Sequence, residues 1–241
     1  MKALKIFGFV ILGIVVVFAL VGGYFGIVPG VSKVFAADKP RDLGVTYTEQ
    51  DRLAGRAKAG WQLAELPAGL PPAQSLQYSG SHPVNNTFND KELTAWINKS
   101  WNYIPFTDCQ IRVNSDGTAE FSGILHTNRL KDYAAAMGQS QDFEKYLPSI
   151  TKYLVGNPAV YIKAKGGVIN NNVVNIDIEA LQIGRYSVPT SWLQDNSNNF
   201  VEAAQWQIEQ IPGLSINSLA FKAGGVVFDG TLPDTIARTL K

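Results

Sequence analysis

The sequence predicts an α+β fold: a curved antiparallel sheet with two or more amphipathic helices packed on one face, preceded by an N-terminal transmembrane helix. Three observations lead there. Residues 6–32 form a run of 27 without a single charge. Segments that alternate apolar and polar residues then come in pairs joined by Gly, Asn or Asp turn chemistry, the pattern of hairpins. Between the pairs lie stretches whose apolar residues recur at helical spacing.

At about 1.5 Å per residue, Ile6 to Val28 is long enough to cross a hydrocarbon layer of roughly 30 Å as a helix. Lys2 and Lys5 stand on its short side. The positive-inside rule therefore leaves residues 1–5 as a cytoplasmic stub and puts the bulk of the chain outside, so the expected localisation is the cell membrane, single-pass, with an extracytoplasmic domain. The run exceeds a signal-peptide core, which favours a signal-anchor. Val34-Phe35-Ala36 ahead of Ala37 nevertheless has the small-residue form of a cleavage site, and cleavage after Ala36 stays open as the alternative. No cysteine stands just after the run to serve a lipoprotein attachment. Leu232-Pro233-Asp234-Thr235-Ile236 lacks the closing Gly and hydrophobic tail of a cell-wall sorting signal.

Charge excludes one class of partner. Of 21 Lys and Arg, removing Lys2 and Lys5 leaves 19 against 20 Asp and Glu. A near-neutral balance without a basic block offers nucleic acid nothing to hold, so no nucleic-acid partner is expected. Cys109 is the single cysteine, so no intrachain disulfide is available, and it reads as a small buried apolar residue.

Residues 29–46 suit a tether. Thr48 caps a helix from Glu49, with Leu53 and Ala57 on one face and Gly60 as its stop. Pro67, Gly69, Pro71 and Pro72 make a loop, closing a small helical segment over 47–75. An α+β domain with a possible internal repeat is expected over 76–241. Within it, Gln77 to Phe88 is extended but split or held to an edge by Pro83. Asn89 caps a helix from Asp90 to about Asn102, with Leu93, Ile97 and Trp101 on one stripe and Trp96 beside it. Asp108–Val113 and Thr118–Leu125 form a hairpin across Asn114-Ser115-Asp116-Gly117. Polar helices follow at about 128–137 and 142–155. Ala159–Val168 and Val173–Ile183 pair across Asn170-Asn171-Asn172, residues that tolerate positive φ. Asp177 and Glu179 fall on the wet face of the second strand. Pro189 opens one helix carrying Phe200, Ala203, Ala204, Ile208 and Ile211, ended by Pro212-Gly213. Strands Ser215–Lys222 and Val226–Leu232 join across Gly224-Gly225, and the tail after Pro233 is expected to form one or two helical turns. The order helix, strand, Gly turn, strand thus occurs twice, with Gly117 four residues before Phe121 and Gly224 four before Phe228.

Catalytic signatures are missing. His82 and His126 are the only histidines and sit near no ligand cluster. No Gly-x-Ser-x-Gly elbow occurs. Ser149 and Lys152 match Ser-x-x-Lys without its companion elements. Gly166-Gly167 and Gly224-Gly225 lack the Lys and the third Gly of a phosphate loop and read as bulges or turns. The expectation is no enzyme, no catalytic residue, no metal and no cofactor. What remains is aromatic. Trp96, Ile97 and Trp101 on the first helix, with Phe200, Ala204 and Ile208 on the second, are the candidates for an apolar ligand-binding groove between helix and sheet.

The run Phe88 to Asn98, the hairpin Ile111–Leu125 ending in Ser-Gly-Ile-Leu, and Leu181-Gln182-Ile183-Gly184 with Val188-Pro189 before a long helix carry a resemblance. Over roughly residues 85–233 they resemble single-pass bacterial surface proteins of the tubular lipid-binding (TULIP-like) type. The resemblance rests on hydrophobic patterns, transfers no site residue and leaves 43–80 without a counterpart. It implies long helices lying along curved strands around an apolar tunnel. The function expected is therefore non-catalytic binding of a lipid or amphiphile at the membrane. The alternative is a structural or protein-interaction module of a cell-surface complex, in which the same aromatics fill a closed core.

Overall fold

The computed structural model describes residues 38–99, 101–138 and 156–239. The expected stub, transmembrane helix and first part of the tether, the helix at 142–155 and the Ser149/Lys152 pair lie outside them. Along the chain the elements are α1 (Glu49–Ala59), β1 (Gln62–Leu66), β2 (Leu76–Ser79), β3 (His82–Phe88), α2 (Asp90–Lys99), β4 (Phe106–Val113), β5 (Thr118–Leu125), α3 (Leu130–Ala136), β6 (Ala159–Ile169), β7 (Asn172–Ile183), β8 (Tyr186–Ser187), α4 (Thr190–Asp195), α5 (Ser197–Glu209), β9 (Ser215–Lys222), β10 (Gly225–Leu232) and β11 (Thr235–Thr239). The architecture is α+β with mostly antiparallel strands. Among the described residues no helix is long and apolar enough to cross a membrane.

The large sheet is assembled on β6. One edge of β6 pairs with β7 along nearly its whole length. The other edge changes partner partway: Ala159 to Lys165 pair with β5, and Gly167 to Ile169 pair with β9. β5 and β9 therefore lie end to end, each backed by its hairpin mate β4 or β10, and β3 closes the outer edge of β10. The fork falls at Gly166-Gly167, where the register with β7 also slips. A Cβ on Gly167 would sit 2.6 Å from the Leu219 carbonyl oxygen, so only glycine lets β9 come in. The two helix-hairpin units of the sequence repeat are present, but their helices pack differently, α2 on β4 and α5 on β7.

Two helix starts follow their sequences. Thr48 and Asp51 form a reciprocal capping box on α1, and Gly60 ends it in the left-handed conformation. Asn89 and Glu92 do the same for α2: the Glu92 amide donates to the Asn89 side chain, and the Asn89 amide donates to the Glu92 carboxylate, both at 2.9 Å. The Asn170-Asn171 turn has positive φ at both residues.

Four expectations need correction. The tail after Pro233 is no helix: β11 enters between β1, in parallel, and β2, antiparallel, making a second, three-stranded sheet. Its β-branched Thr235, Ile236 and Thr239 suit that role once two unpaired edges are on offer. The helix after Pro189 is broken into α4 and α5 at Asn196, whose side-chain amide donates to the Trp192 carbonyl at 2.9 Å and competes with the helical ladder. α2 stops at Lys99, short of Asn102. The face of α1 expected to be apolar, Leu53 and Ala57, is exposed, while Ala59 is buried.

The end of the expected tether is laid on the sheet. The Gln110 side-chain carbonyl accepts from the Leu43 and Val45 amides at 2.7 and 3.3 Å, and Arg41 stacks over Tyr161 at 3.7 Å. Buried apolar packing centres on Val84, Val168, Ile216 and Phe228, with Ile208 and Leu219 against them. The largest side chains with almost no exposure are small and polar, Thr94, Ser75 and Ser122. Most large apolar side chains are only half-buried, and part of what they leave open is a cavity.

Candidate functional site

The cavity has a volume of about 280 Å³ and lies between the three-stranded sheet, the α1–α2 pair and the β9–β10 hairpin. Each wall supplies apolar side chains at strand or helix spacing. Leu63 of β1 and Ile236 of β11 are register partners, so they face the cavity side by side. Leu219 of β9 is the register partner of Phe228 of β10, and Leu93 and Trp96 come from α2. α1 can close over α2 because Gly55 lies at the crossing, where a Cβ would meet Glu92 Cβ at 3.1 Å. His82 fastens the lower end, bridging the Ala59 carbonyl through Nε2 at 2.8 Å and the Asp234 carboxylate through Nδ1 at 2.9 Å.

Trp61 and Trp96 lie against each other, their ring centroids 5.3 Å apart, and Trp96 is 49% exposed. The cavity is therefore bordered by a half-open aromatic pair. The Tyr78 hydroxyl on its wall is pushed up to about 12, chiefly by burial and then by Tyr133. At roughly 30 Å³ for a water-sized group, such a volume takes on the order of nine methylenes. Burying them gains about 7 kcal/mol before ordering costs.

Four charged residues also line this space: Arg52, Arg56, Arg238 and Glu92. Glu92, only 4% exposed, is bound by Lys58 at 2.8 Å. Arg52 pairs with Glu49 one turn back, where the carboxylate is largely exposed. Arg56 donates through Nε to the Trp61 carbonyl at 3.4 Å. Arg238 is held below the usual guanidinium range, first by burial and then by repulsion from Arg52 and Arg56. The three guanidiniums are thus close enough to act on one another.

Of the six residues expected to line a groove, Trp96 borders this cavity. Ile97 is half-buried elsewhere on α2. Trp101 packs on Tyr103 and Tyr133, at 5.3 and 6.3 Å between centroids, and its indole nitrogen has no hydrogen-bond partner among the described residues. Phe200 meets Trp192 and borders a separate pocket of about 230 Å³ under α4 and α5. Ala204 is half-buried on α5, and Ile208 belongs to the core cluster. Sequence reasoning passed over Trp61 and the three arginines. The signal available was Arg52 and Arg56 four residues apart on a capped helix, followed by Trp61.

Metal chemistry finds no cluster: among the described residues no three His, Cys, Asp or Glu side chains stand together as ligands. Cys109 is 2% exposed and its thiol is pushed up to about 12 by burial and by the Asp108 charge. His126 meets the Thr107 hydroxyl at 2.7 Å and is held below its ordinary range by burial and Arg129. Asp177 and Glu179 are engaged by Lys165 and Lys163 across the β6–β7 ladder. No family model, no curated protein and no solved structure matches this chain.

Proposed function

We propose that this protein is a membrane-anchored, extracytoplasmic binder of a lipid or amphiphile and performs no catalysis. The observation that carries the reading is the apolar cavity between the α1–α2 pair and the two sheets, bordered by Trp61 and Trp96 and sized for part of a single alkyl chain. Permanent membrane proximity rests on the uncharged run at 6–32, and the TULIP-like resemblance supplies the idea of helices along curved strands around an apolar interior. The observed cavity supports the second idea in altered form, since its walls include β1, β2 and β11 as well as the helix-hairpin units.

Native mass spectrometry of the full chain, released gently from detergent, tests the reading. Bound lipid is the expected result. Repeated lipid-free spectra, together with no uptake of a fluorescent fatty acid, would remove it.

A second reading, a protein-interaction module of a surface complex, is favoured by Tyr186 and Trp192, 47% and 48% exposed around β8 and the start of α4. Site-specific photo-crosslinking from position 192 in intact membranes checks it. Absence of any stoichiometric adduct counts against that module.

A further inference from the structure

We propose that His82 is a proton-dependent latch on the cavity, an imidazolium that ties the end of α1 to the β10–β11 corner and slackens that wall when its second proton leaves. The latch itself stands apart from the amphiphile-binding reading, whereas its control of ligand exchange rests on that reading.

Both partners of the ring are acceptors. Nε2 meets the Ala59 carbonyl at 2.8 Å and Nδ1 meets the Asp234 carboxylate at 2.9 Å. A carbonyl and a carboxylate accept and do not donate, so both ring nitrogens must carry hydrogen, and a neutral imidazole carries only one. Ala59 is the last residue of α1, where open carbonyls and the helix dipole also favour a cation. Two glycines make room for the bridge. A Cβ on Gly60 would stand 2.5 Å from His82 Nε2, and one on Gly80 would overlap the Asp234 carboxylate.

The position of the bridge gives it a consequence. Ala59, Pro233 and Ile236 line the cavity, and the Asp234 carbonyl accepts from the Gln62 amide at 2.7 Å, where the β1–β11 pairing begins. His82 opens β3 and is the register partner of Leu232, another wall residue. One ring thus joins α1, the large sheet and the three-stranded sheet at the edge of the cavity. The other charged groups on these elements are turned elsewhere. Lys58 holds Glu92 and the Thr87 carbonyl, Arg56 donates to the Trp61 carbonyl, and Glu65 and Arg238 are register partners toward the far end of the β1–β11 pair. The His82 side chain is 26% exposed, so water can take its proton. Loss of that proton turns a bare nitrogen lone pair toward an acceptor, and one of the two ties breaks. Because the paired contacts belong to the protonated ring, their stabilisation is present in acid and is lost as pH rises through the range in which histidine changes charge.

The test compares the full chain in detergent at about pH 5 and about pH 8, which bracket histidine titration. It reads the ring nitrogens by NMR, the thermal melt, and the release rate of a pyrene-labelled decanol, a probe with no titrating group. His82 and His126 are the only histidines, so His82→Gln assigns the two sets of ring signals. Both His82 nitrogens should be protonated at the lower pH. Between the two pH values the wild-type Tm should fall about 2–4 °C more than that of His82→Gln. Release of the alcohol should speed up by at least about threefold, the effect of one charge-assisted bond discounted for exposure. Asp234→Asn separates this chemistry from mere packing. An Asn amide donates to a neutral Nδ1 while Nε2–H keeps Ala59, so the pH effect on melt and release should vanish. A singly protonated ring at the lower pH overturns the proposal, and so does an Asp234→Asn chain that keeps the wild-type pH effect. The ring spectrum is read on the wild-type chain and decides even where a variant folds poorly. Equal release at both pH values beside a pH-dependent melt overturns control of exchange and leaves the latch as a stabilising contact. No alcohol bound at either pH removes the amphiphile reading, and the spectrum and the melt then decide the latch alone.

Discussion

Along one face of α2, Asp90, Thr94 and Asn98 are hydrogen-bonded to the β4 backbone. Along another, Leu93 and Trp96 border the cavity, and Trp96 stays half exposed. The first contact is a ladder. The Val113 amide donates to Asp90, the Ile111 amide to the Thr94 hydroxyl and the Cys109 amide to Asn98, each at 2.9 Å, and the Asn98 amide group returns a bond to the Cys109 carbonyl at 2.8 Å. Four residues of helix rise about 6 Å and two residues of strand about 6.6 Å, so a polar row at i, i+4, i+8 keeps step with alternate strand residues. The row takes the place of a neighbouring strand and blunts an edge that would otherwise invite pairing. It fixes α2 to one register, whereas the apolar packing of the cavity wall is nondirectional. A single helix is thus held by polar geometry on one side and is free to present apolar surface on the other.

Asn98→Leu should produce the largest stability loss. It leaves the Cys109 N–H and C=O without partners, at about 2–4 kcal/mol. For a domain of this size that lowers Tm by about 10 °C, measured by circular dichroism on the full chain in detergent. Leu93→Ala, on the cavity side of the same helix, should cost about 1 kcal/mol because the removed atoms already border open space. Equal losses from the two would end the distinction between seam and wall.

Lys58→Met comes next. It strips the cation from Glu92, which is buried and also caps α2. Discounted for the partial exposure of Lys58, the loss should be about 2 kcal/mol, read in the same melt. Trp96→Ala should leave stability within about 1 kcal/mol, as expected of a half-exposed side chain, yet weaken uptake of a fluorescent fatty acid. A variant that takes up the fatty acid at wild-type strength would place the ligand elsewhere.

The same helix shows what the sequence makes legible. Its start is written in Asn89 and Glu92, as that of α1 is in Thr48 and Asp51, because a cap is a bond between residues three apart. The Asn170-Asn171 turn and the two Gly-turn hairpins are local for the same reason. The buried face of α2 misleads a reader of apolar stripes: Leu93, Ile97 and Trp101 attract attention, while Thr94 and Ala95 are the residues shut away. Asp90, Thr94 and Asn98 carry the needed spacing, but only the nearby β4 edge gives that spacing a meaning. The cavity was less legible still. Its walls come from residues 52–96 and 211–238, and β11 joins them by pairing with strands more than 150 residues earlier in the chain. No local pattern announces Arg238 as a neighbour of Arg56.

Cys109 offers the finest probe of the seam, since its own N–H and C=O are the rungs that Asn98 holds. With the thiol pushed up to about 12 by burial, then by Asp108, almost no thiolate exists at pH 8, and almost no surface is open to a reagent. A disulfide reagent should therefore leave the native chain unmodified over hours and react at once in denaturant. Asn98→Leu should speed native-state labelling by at least about tenfold, because labelling needs the α2–β4 contact to open and that opening becomes easier by more than 1.4 kcal/mol. Leu93→Ala, which disturbs only the cavity side, should leave the rate within about twofold. If both substitutions accelerate labelling equally, α2 opens as a whole, and its two faces are energetically one contact.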